Sequence, residues 1–275
     1  GRGDADHALF PYDTDDKIRD NTETTGGKTV IRVRRAGGDA LWEPFSIRGE
    51  GRFRVRRSLL KSVWGNEVWF EEANEDLGLV FRTGWSNSRR FGWIRRSSLS
   101  NTGRQRVSVV FLDGIQNIMP SGIGSDFQMR YSTLLDAYKR SERLPGSRLA
   151  LFRLSAVPAD RPEPAESLEA TTVWSVSPVK ADTILLSATQ LDALRRGETL
   201  RPENDVCGRR GAYFLHGRRN LAPGQAAEWM FGADVSQSAA DVVRLGAALE
   251  KSSAFRREVL TDIREGTEEL KRIVG

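Results

Sequence analysis

Over the first 112 positions the apolar residues recur mostly at every second place, in short runs divided by polar turns. A period of two with Val, Ile, Phe and Trp set between charged residues marks half-buried strands. It predicts strands at 28–35, 51–60, 67–73, 77–85, 91–100 and 106–112, joined by turns such as Asn101-Thr102-Gly103. Connections this short leave no room for crossover helices, so antiparallel sheets are expected. The regularity breaks at Leu112-Asp113-Gly114-Ile115-Gln116-Asn117-Ile118-Met119-Pro120-Ser121-Gly122. Asp113-Gly114 reads as a turn closing a buried strand, Gln116 and Asn117 as polar groups able to reach a loop or a sugar, and residues 120–122 as the lead into a helix. Across 126–143 the period changes to three and four through Phe127, Tyr131, Leu134, Leu135 and Tyr138. That is an amphipathic helix, stopped by Pro145-Gly146.

Strand patterns resume at 148–157, 168–175, 182–186, 211–216 and 226–231. A short helix at 188–196 has Ser187 as its expected cap and Gly197 as its stop. The Pro-rich stretch 157–166 reads as a surface excursion. From Ser236 the chain turns helical, first at 239–249 and then at 254–274. In the second helix Phe255, Val259, Ile263, Leu270 and Val274 form an apolar stripe, which has to pack on something. Either it folds back on the sheet, or it serves as a linker toward a further domain. The expected organisation is an irregular segment at 1–27, a mainly β two-sheet sandwich at 28–235 with one inserted helix, and a helical linker at 236–275.

A chain of 275 residues with 39% hydrophobic content can bury a real core. One cysteine, Cys207, cannot form an internal disulfide, and no apolar run reaches the length of a membrane span. A soluble, cytoplasmic protein with no membrane partner is the expectation. The polar start at Gly1 reads as an excised or processed end. A net charge of +5 invites a nucleic-acid reading, but the arginines alternate with apolar residues, as in Arg52-Phe53-Arg54-Val55-Arg56, or lie scattered in pairs between acidic stretches. Solvated strand faces are the leading reading, ahead of a polyanion-binding patch or an anionic small ligand, and no nucleic acid is expected.

Candidate chemistry is sparse. Two histidines, His7 and His216, and one cysteine make a metal cage implausible. Asp13-Thr14-Asp15-Asp16 begins like a calcium loop but lacks its glycine and closing glutamate. There is neither a Gly-x-Ser-x-Gly elbow nor a phosphate-binding loop, so no catalytic residue, metal or cofactor is assigned. Tryptophan stands out, with Trp64, Trp69, Trp85 and Trp93 inside a thirty-residue window. Aromatic faces stack on sugar rings, although tryptophan in strands is more often core. Trp85 continues the face of Leu77, Leu79 and Phe81, whereas Trp64 sits in a turn, Trp64-Gly65-Asn66, and is the better candidate for exposure.

The run from Leu59-Leu60-Lys61-Ser62-Val63-Trp64-Gly65-Asn66 through Glu72, Asn74-Glu75-Asp76-Leu77-Gly78-Leu79, Arg90-Phe91-Gly92-Trp93-Ile94-Arg95-Arg96 and the Asp113 to Pro120 motif resembles the N-terminal region of large bacterial proteins related to cellobiose phosphorylase. The similarity extends through Leu135-Asp136-Ala137-Tyr138-Lys139-Arg140 and Thr171-Thr172-Val173-Trp174-Ser175 to Gln190-Leu191-Asp192. The resemblance implies a galactose mutarotase-like β super-sandwich, joined by a helical linker to a downstream (α/α)6 barrel that carries the catalytic acid. It implies a non-catalytic domain whose loops border an oligosaccharide or polysaccharide site, and a possible homodimer. Phosphorolysis itself is not implied. The loops Trp64-Gly65-Asn66, Ser88-Arg89-Arg90 and Gln116-Asn117 suit that role, making Trp64, Asn66, Arg89, Arg90, Gln116 and Asn117 the carbohydrate-binding candidates. Alternatives from other classes are a mutarotase-like sugar epimerase using His216 as its base, and a polyanion-binding β module.

Overall fold

Alternating apolar residues become paired strands in the computed structural model, which describes residues 7–12, 15–35, 38–156, 169–179 and 182–274. The chain runs through α1 (Asp15–Asn21), β1 (Gly26–Val33), β2 (Ala40–Trp42), β3 (Val55–Lys61), β4 (Glu67–Asn74), β5 (Leu79–Ser88), β6 (Gly92–Asn101) and β7 (Val107–Ile118). It continues with α2 (Ser125–Tyr138), β8 (Lys139–Arg143), β9 (Leu149–Leu154), β10 (Glu169–Val176), β11 (Thr183–Leu185), α3 (Leu191–Arg196), β12 (Asp205–Cys207), β13 (Gly211–Leu221) and β14 (Ala226–Ser238). Two helices follow, α4 (Ala239–Glu250) and α5 (Ser252–Val274). The Pro-rich excursion, the first six residues and the Asp13-Thr14 pair lie outside the described residues.

The fold is mainly β, with two antiparallel sheets. A five-stranded sheet has the order β11-β13-β7-β1-β2, and a nine-stranded sheet the order β12-β8-β9-β10-β14-β6-β5-β4-β3. Their inner faces meet in one core, where Ile31, Phe111 and Leu215 of the smaller sheet pack with Phe81, Val173 and Phe231 of the larger. Each outer face is also covered. Val30, Leu112 and Phe214 lie under Leu191 and Leu194 of α3, while Ile94, Trp174 and Met230 lie under Phe255, Val259 and Ile263 of α5. The apolar stripe of α5 therefore folds back on the larger sheet over its first three turns. Val274, at its end, stays exposed.

Several expectations are corrected. Asp113-Gly114 is no turn, because β7 runs through it to Ile118, paired with β1 on one side and β13 on the other. Asp113 is tolerated in mid-strand because its carboxylate accepts from Thr29 Oγ1 at 2.7 Å, from both Arg95 Nη atoms at 2.7 and 2.9 Å, and from Trp229 Nε1 at 2.7 Å. Gly114 is needed for close approach, since a Cβ there would lie 1.9 Å from the Tyr213 carbonyl oxygen. The helix expected to reach Arg143 ends at Tyr138, and Lys139–Arg143 pairs with β9 and β12 instead. Lys139 and Ser141 face inward in alternation, and Lys139 Nζ donates to Asp136 at 2.7 Å. The segment expected to be irregular at 1–27 holds α1 and the first residues of β1. Helix α3 starts at Leu191 after Gln190 rather than on Ser187, though Gly197 does stop it at φ 86°. Not every arginine is on a wet face: Arg95 and Arg219 are buried, the latter paired with Asp182 at 2.6 Å.

Candidate functional site

Where the turn between β5 and β6 meets the end of β14, α4 and α5, a cleft of about 710 Å³ opens on the outer side of the larger sheet. Arg89 and Arg90 come from the turn, Asp234 and Gln237 from β14, Asp241 and Arg244 from α4. The turn is set locally by Gly92 at φ 72°, where any Cβ would meet the Ala233 carbonyl oxygen at 2.3 Å. It is held at long range by Asp262 of α5, only 8% exposed, which accepts from the Ser88 hydroxyl and from the Arg89 N–H at 2.9 Å. Ser88 Oγ in turn accepts from the Phe91 N–H at 3.0 Å. On the opposite wall Ser238 and Asp241 form a capping box that starts α4. The bonded Ser238 hydroxyl holds the Asp241 carboxyl below its ordinary range.

Each guanidinium in the cleft has a carboxylate. Arg89 pairs with Glu269, Arg90 with Glu258 at 2.6 Å, and Arg244 with Asp241. The lining itself holds three arginines, Arg89, Arg90 and Arg244, and three carboxylates, Asp234, Asp241 and Glu258, so it is electrically balanced and rich in both donors and acceptors. Such a surface suits a neutral ligand carrying many hydroxyls, since carboxylates accept from hydroxyls and guanidiniums donate to them.

The structure brings Arg89 and Arg90 together at the cleft and places Asn66, in the turn between β3 and β4, against a later turn of α5. Asn66 Nδ2 donates to Thr267 Oγ1 of α5 at 2.7 Å, and Trp64 lies beside it, 37% exposed. Gln116 and Asn117 are elsewhere. They are 2% and 8% exposed and donate to the Glu23 carbonyl oxygen at 2.8 Å and to Thr25 Oγ1 at 2.9 Å. They fasten the chain after α1 onto β7, which corrects the expectation that they reach toward a sugar. Sequence reading missed Asp234, Gln237, Asp241, Arg244 and Glu258. Of these only Asp241 had a local signal, as the fourth position of a capping box before an apolar run. Three other tryptophans, Trp42, Trp174 and Trp229, are core, and Trp69 has the guanidinium carbons of Arg82 and Arg96 each 4.6 Å from its ring centroid.

His216 lines a separate recess of about 140 Å³ on the outer side of the smaller sheet. That is well below the ~300–1,000 Å³ usual for organic ligands. Burial pushes the His216 imidazole below its ordinary pKa, Nδ1 is 3.0 Å from Thr183 Oγ1, and the Asp182 charge that acts on it is held by Arg219. Among the described residues no group of three or more His, Cys, Asp and Glu side chains is placed to hold a metal ion, and no helix is long and apolar enough to cross a membrane.

No family model matches the sequence, and neither does any curated protein. Among solved structures, a polysaccharide lyase matches at 12% identity and a TM-score of 0.42, over 92% of this chain and 30% of its own. A putative kojibiose phosphorylase from human microbiome matches at 8% identity and a TM-score of 0.41, over 87% of this chain and 26% of its own. The chain thus spans less than a third of the length of these two proteins. A galactose mutarotase-like protein from Lactobacillus casei ATCC 334 matches at 14% identity and a TM-score of 0.34, over 76% of this chain and 84% of its own.

Proposed function

We propose that this chain is a non-catalytic, carbohydrate-associated sandwich domain of a larger glycoside phosphorylase-like or hydrolase-like protein, and that its cleft at Arg89 and Arg90 holds a neutral sugar or borders a neighbouring domain's sugar site. The observation that carries this reading is the charge-balanced lining of the cleft, in which Arg89, Arg90 and Arg244 are each matched by a carboxylate. An acidic ligand would have to compete with those carboxylates, and a cationic one with the guanidiniums, whereas a hydroxyl-rich neutral one bonds to both. The fold adds support, because α5 fixes the turn that carries the two arginines through Asp262, and so prearranges the wall without a ligand. In this reading the chemistry is performed by a downstream domain of the same polypeptide.

The test is a glycan array on this 275-residue chain, followed by calorimetry on any hit. Binding of uncharged oligosaccharides that weakens in Arg244→Ala supports the reading. An array silent for every neutral glycan, or one on which only sulfated and uronic-acid glycans bind, overturns the sugar assignment.

A further inference from the structure

On the outer face of the smaller sheet, three arginines and a glycine loop enclose the small recess beside His216. Arg32 on β1 and Arg218 on β13 both register against Val110 of β7, so they stand on the same face on either side of one apolar residue. Directly opposed residues of an antiparallel pair are about 5 Å apart, which sets the two arginines within roughly 10 Å of each other. Arg34, the residue that follows the end of β1, lines the same recess. Arg32 is held in place by Asp39 at 2.7 Å and by the Leu194 carbonyl oxygen at 3.4 Å. The loop packs against it through Gly197, whose φ of 86° favours glycine and where a Cβ would lie 1.7 Å from Arg32 Nη1 and displace the guanidinium.

The charge here is not balanced, in contrast with the cleft. Asp39 is taken by Arg32, and Glu198, the other acid on the rim, by Arg196 at 2.5 Å. Among the described residues no acidic group lies within ion-pair distance of Arg34 or Arg218. We propose that this recess binds a single tetrahedral oxyanion, a phosphate or sulfate group, gripped by Arg34 and Arg218 beside the fixed Arg32 guanidinium. The recess of about 140 Å³ has room for such a group and lies well below the ~300–1,000 Å³ usual for organic ligands. Thr199 on its wall supplies a hydroxyl donor. The oxyanion is free in solution or is a terminal ester on a larger molecule that lies outside the recess.

Calorimetric titration at low salt with sodium phosphate, sodium sulfate, glucose 6-phosphate and glucose tests this, with sodium chloride matched for ionic strength. Phosphate or sulfate should bind, and Arg34→Ala and Arg218→Ala should each weaken binding by about tenfold, the loss of one charge-assisted contact. Arg257→Ala, an exposed arginine on α5 over the other sheet, should bind like the parent. Tighter binding of glucose 6-phosphate than of phosphate identifies an ester, and equal binding identifies the free ion. Both exchanged arginines are exposed, so the variants should keep the parent's melting temperature, and a variant that does not is replaced by Arg→Gln at the same position. The proposal is overturned if matched chloride gives the same heat, if Arg257→Ala loses as much as the other two, or if neither ion nor ester binds at about 10 mM. The recess and the cleft are on different sheets, so this result is independent of the sugar assignment.

Discussion

Replacing Asp113 by Asn removes the charge at the centre of the buried network between the two sheets. Asp113 is fully buried and its partner Arg95 is 2% exposed. Asparagine keeps one acceptor oxygen but turns an amide N–H₂ toward donors that the second carboxylate oxygen satisfied, Arg95 Nη1 at 2.9 Å and Trp229 Nε1 at 2.7 Å. It also leaves Arg95 as an unpaired buried cation. Breaking a buried pair from one side costs about 3–5 kcal/mol. With a urea slope of about 3 kcal/mol/M for a larger domain, the midpoint should fall by about 1–1.7 M. The assay is urea unfolding followed by tryptophan fluorescence, with Trp229 inside the network as the reporter. Arg95→Met combined with Asp113→Asn should recover part of the loss, because it removes the unpaired buried cation while the amide oxygen still accepts from Thr29. A fall of under about 0.3 M at unchanged slope, or a double variant no better than Asp113→Asn, would refute the assignment of Asp113 as the electrostatic centre of the core.

Three further outcomes follow from the same geometry. Gly114→Ala forces a Cβ to 1.9 Å from the Tyr213 carbonyl oxygen and 2.9 Å from Phe214 Cα, both backbone, so denaturant titration should show a loss of at least about 3 kcal/mol or no folded protein. Asp262→Ala strips the Ser88 hydroxyl and the Arg89 N–H of their acceptor, which should cost about 1–3 kcal/mol and speed amide exchange at Arg89 and Arg90 relative to the core strands. Burial opposes ionisation of Glu23, but hydrogen bonds from Lys28 and Ser46 override it and lower its pKa from 4.5 to about 2. The folded state therefore favours the carboxylate, and its contribution is complete above 4.5 and lost as the pH falls from there to about 2. Glu23→Gln should flatten that acid limb of the melting-temperature profile.

What the sequence made legible was whatever is local. β5 and β6 alternate over much of their length and α4 and α5 carry a helical period, so their existence could be read off, whereas β3, expected from residue 51, begins at Val55. Phe255, Val259 and Ile263 announced a face in need of cover, and that face is covered. The errors share one cause, which is that distant residues decided the conformation. Asp113-Gly114 has the chemistry of a turn, yet Thr29, Arg95 and Trp229, far away in the chain, make the aspartate acceptable in a strand. Lys139 and Arg140 look like a continuation of α2, yet β9 and β12 offer ladder partners on both sides. The same holds for the site. Arg89 and Arg90 were visible as a charged turn, but the carboxylates that neutralise them sit on α5, some 170 residues later. Gln116 and Asn117 were misjudged because nothing in their neighbourhood announces that residues 23 and 25 return to accept their hydrogen bonds.

The central claim is that the charge-balanced cleft at the β5–β6 turn holds a neutral carbohydrate. The most direct measurement is an amide chemical-shift titration of the labelled chain with an uncharged oligosaccharide selected on the glycan array. Saturable shifts should cluster at Arg89, Arg90, Phe91, Gln237 and Arg244 and vanish in Arg244→Ala, while Gln116→Ala should titrate like the parent. Shifts confined to other surfaces, or a spectrum unmoved by any neutral sugar, would contradict it.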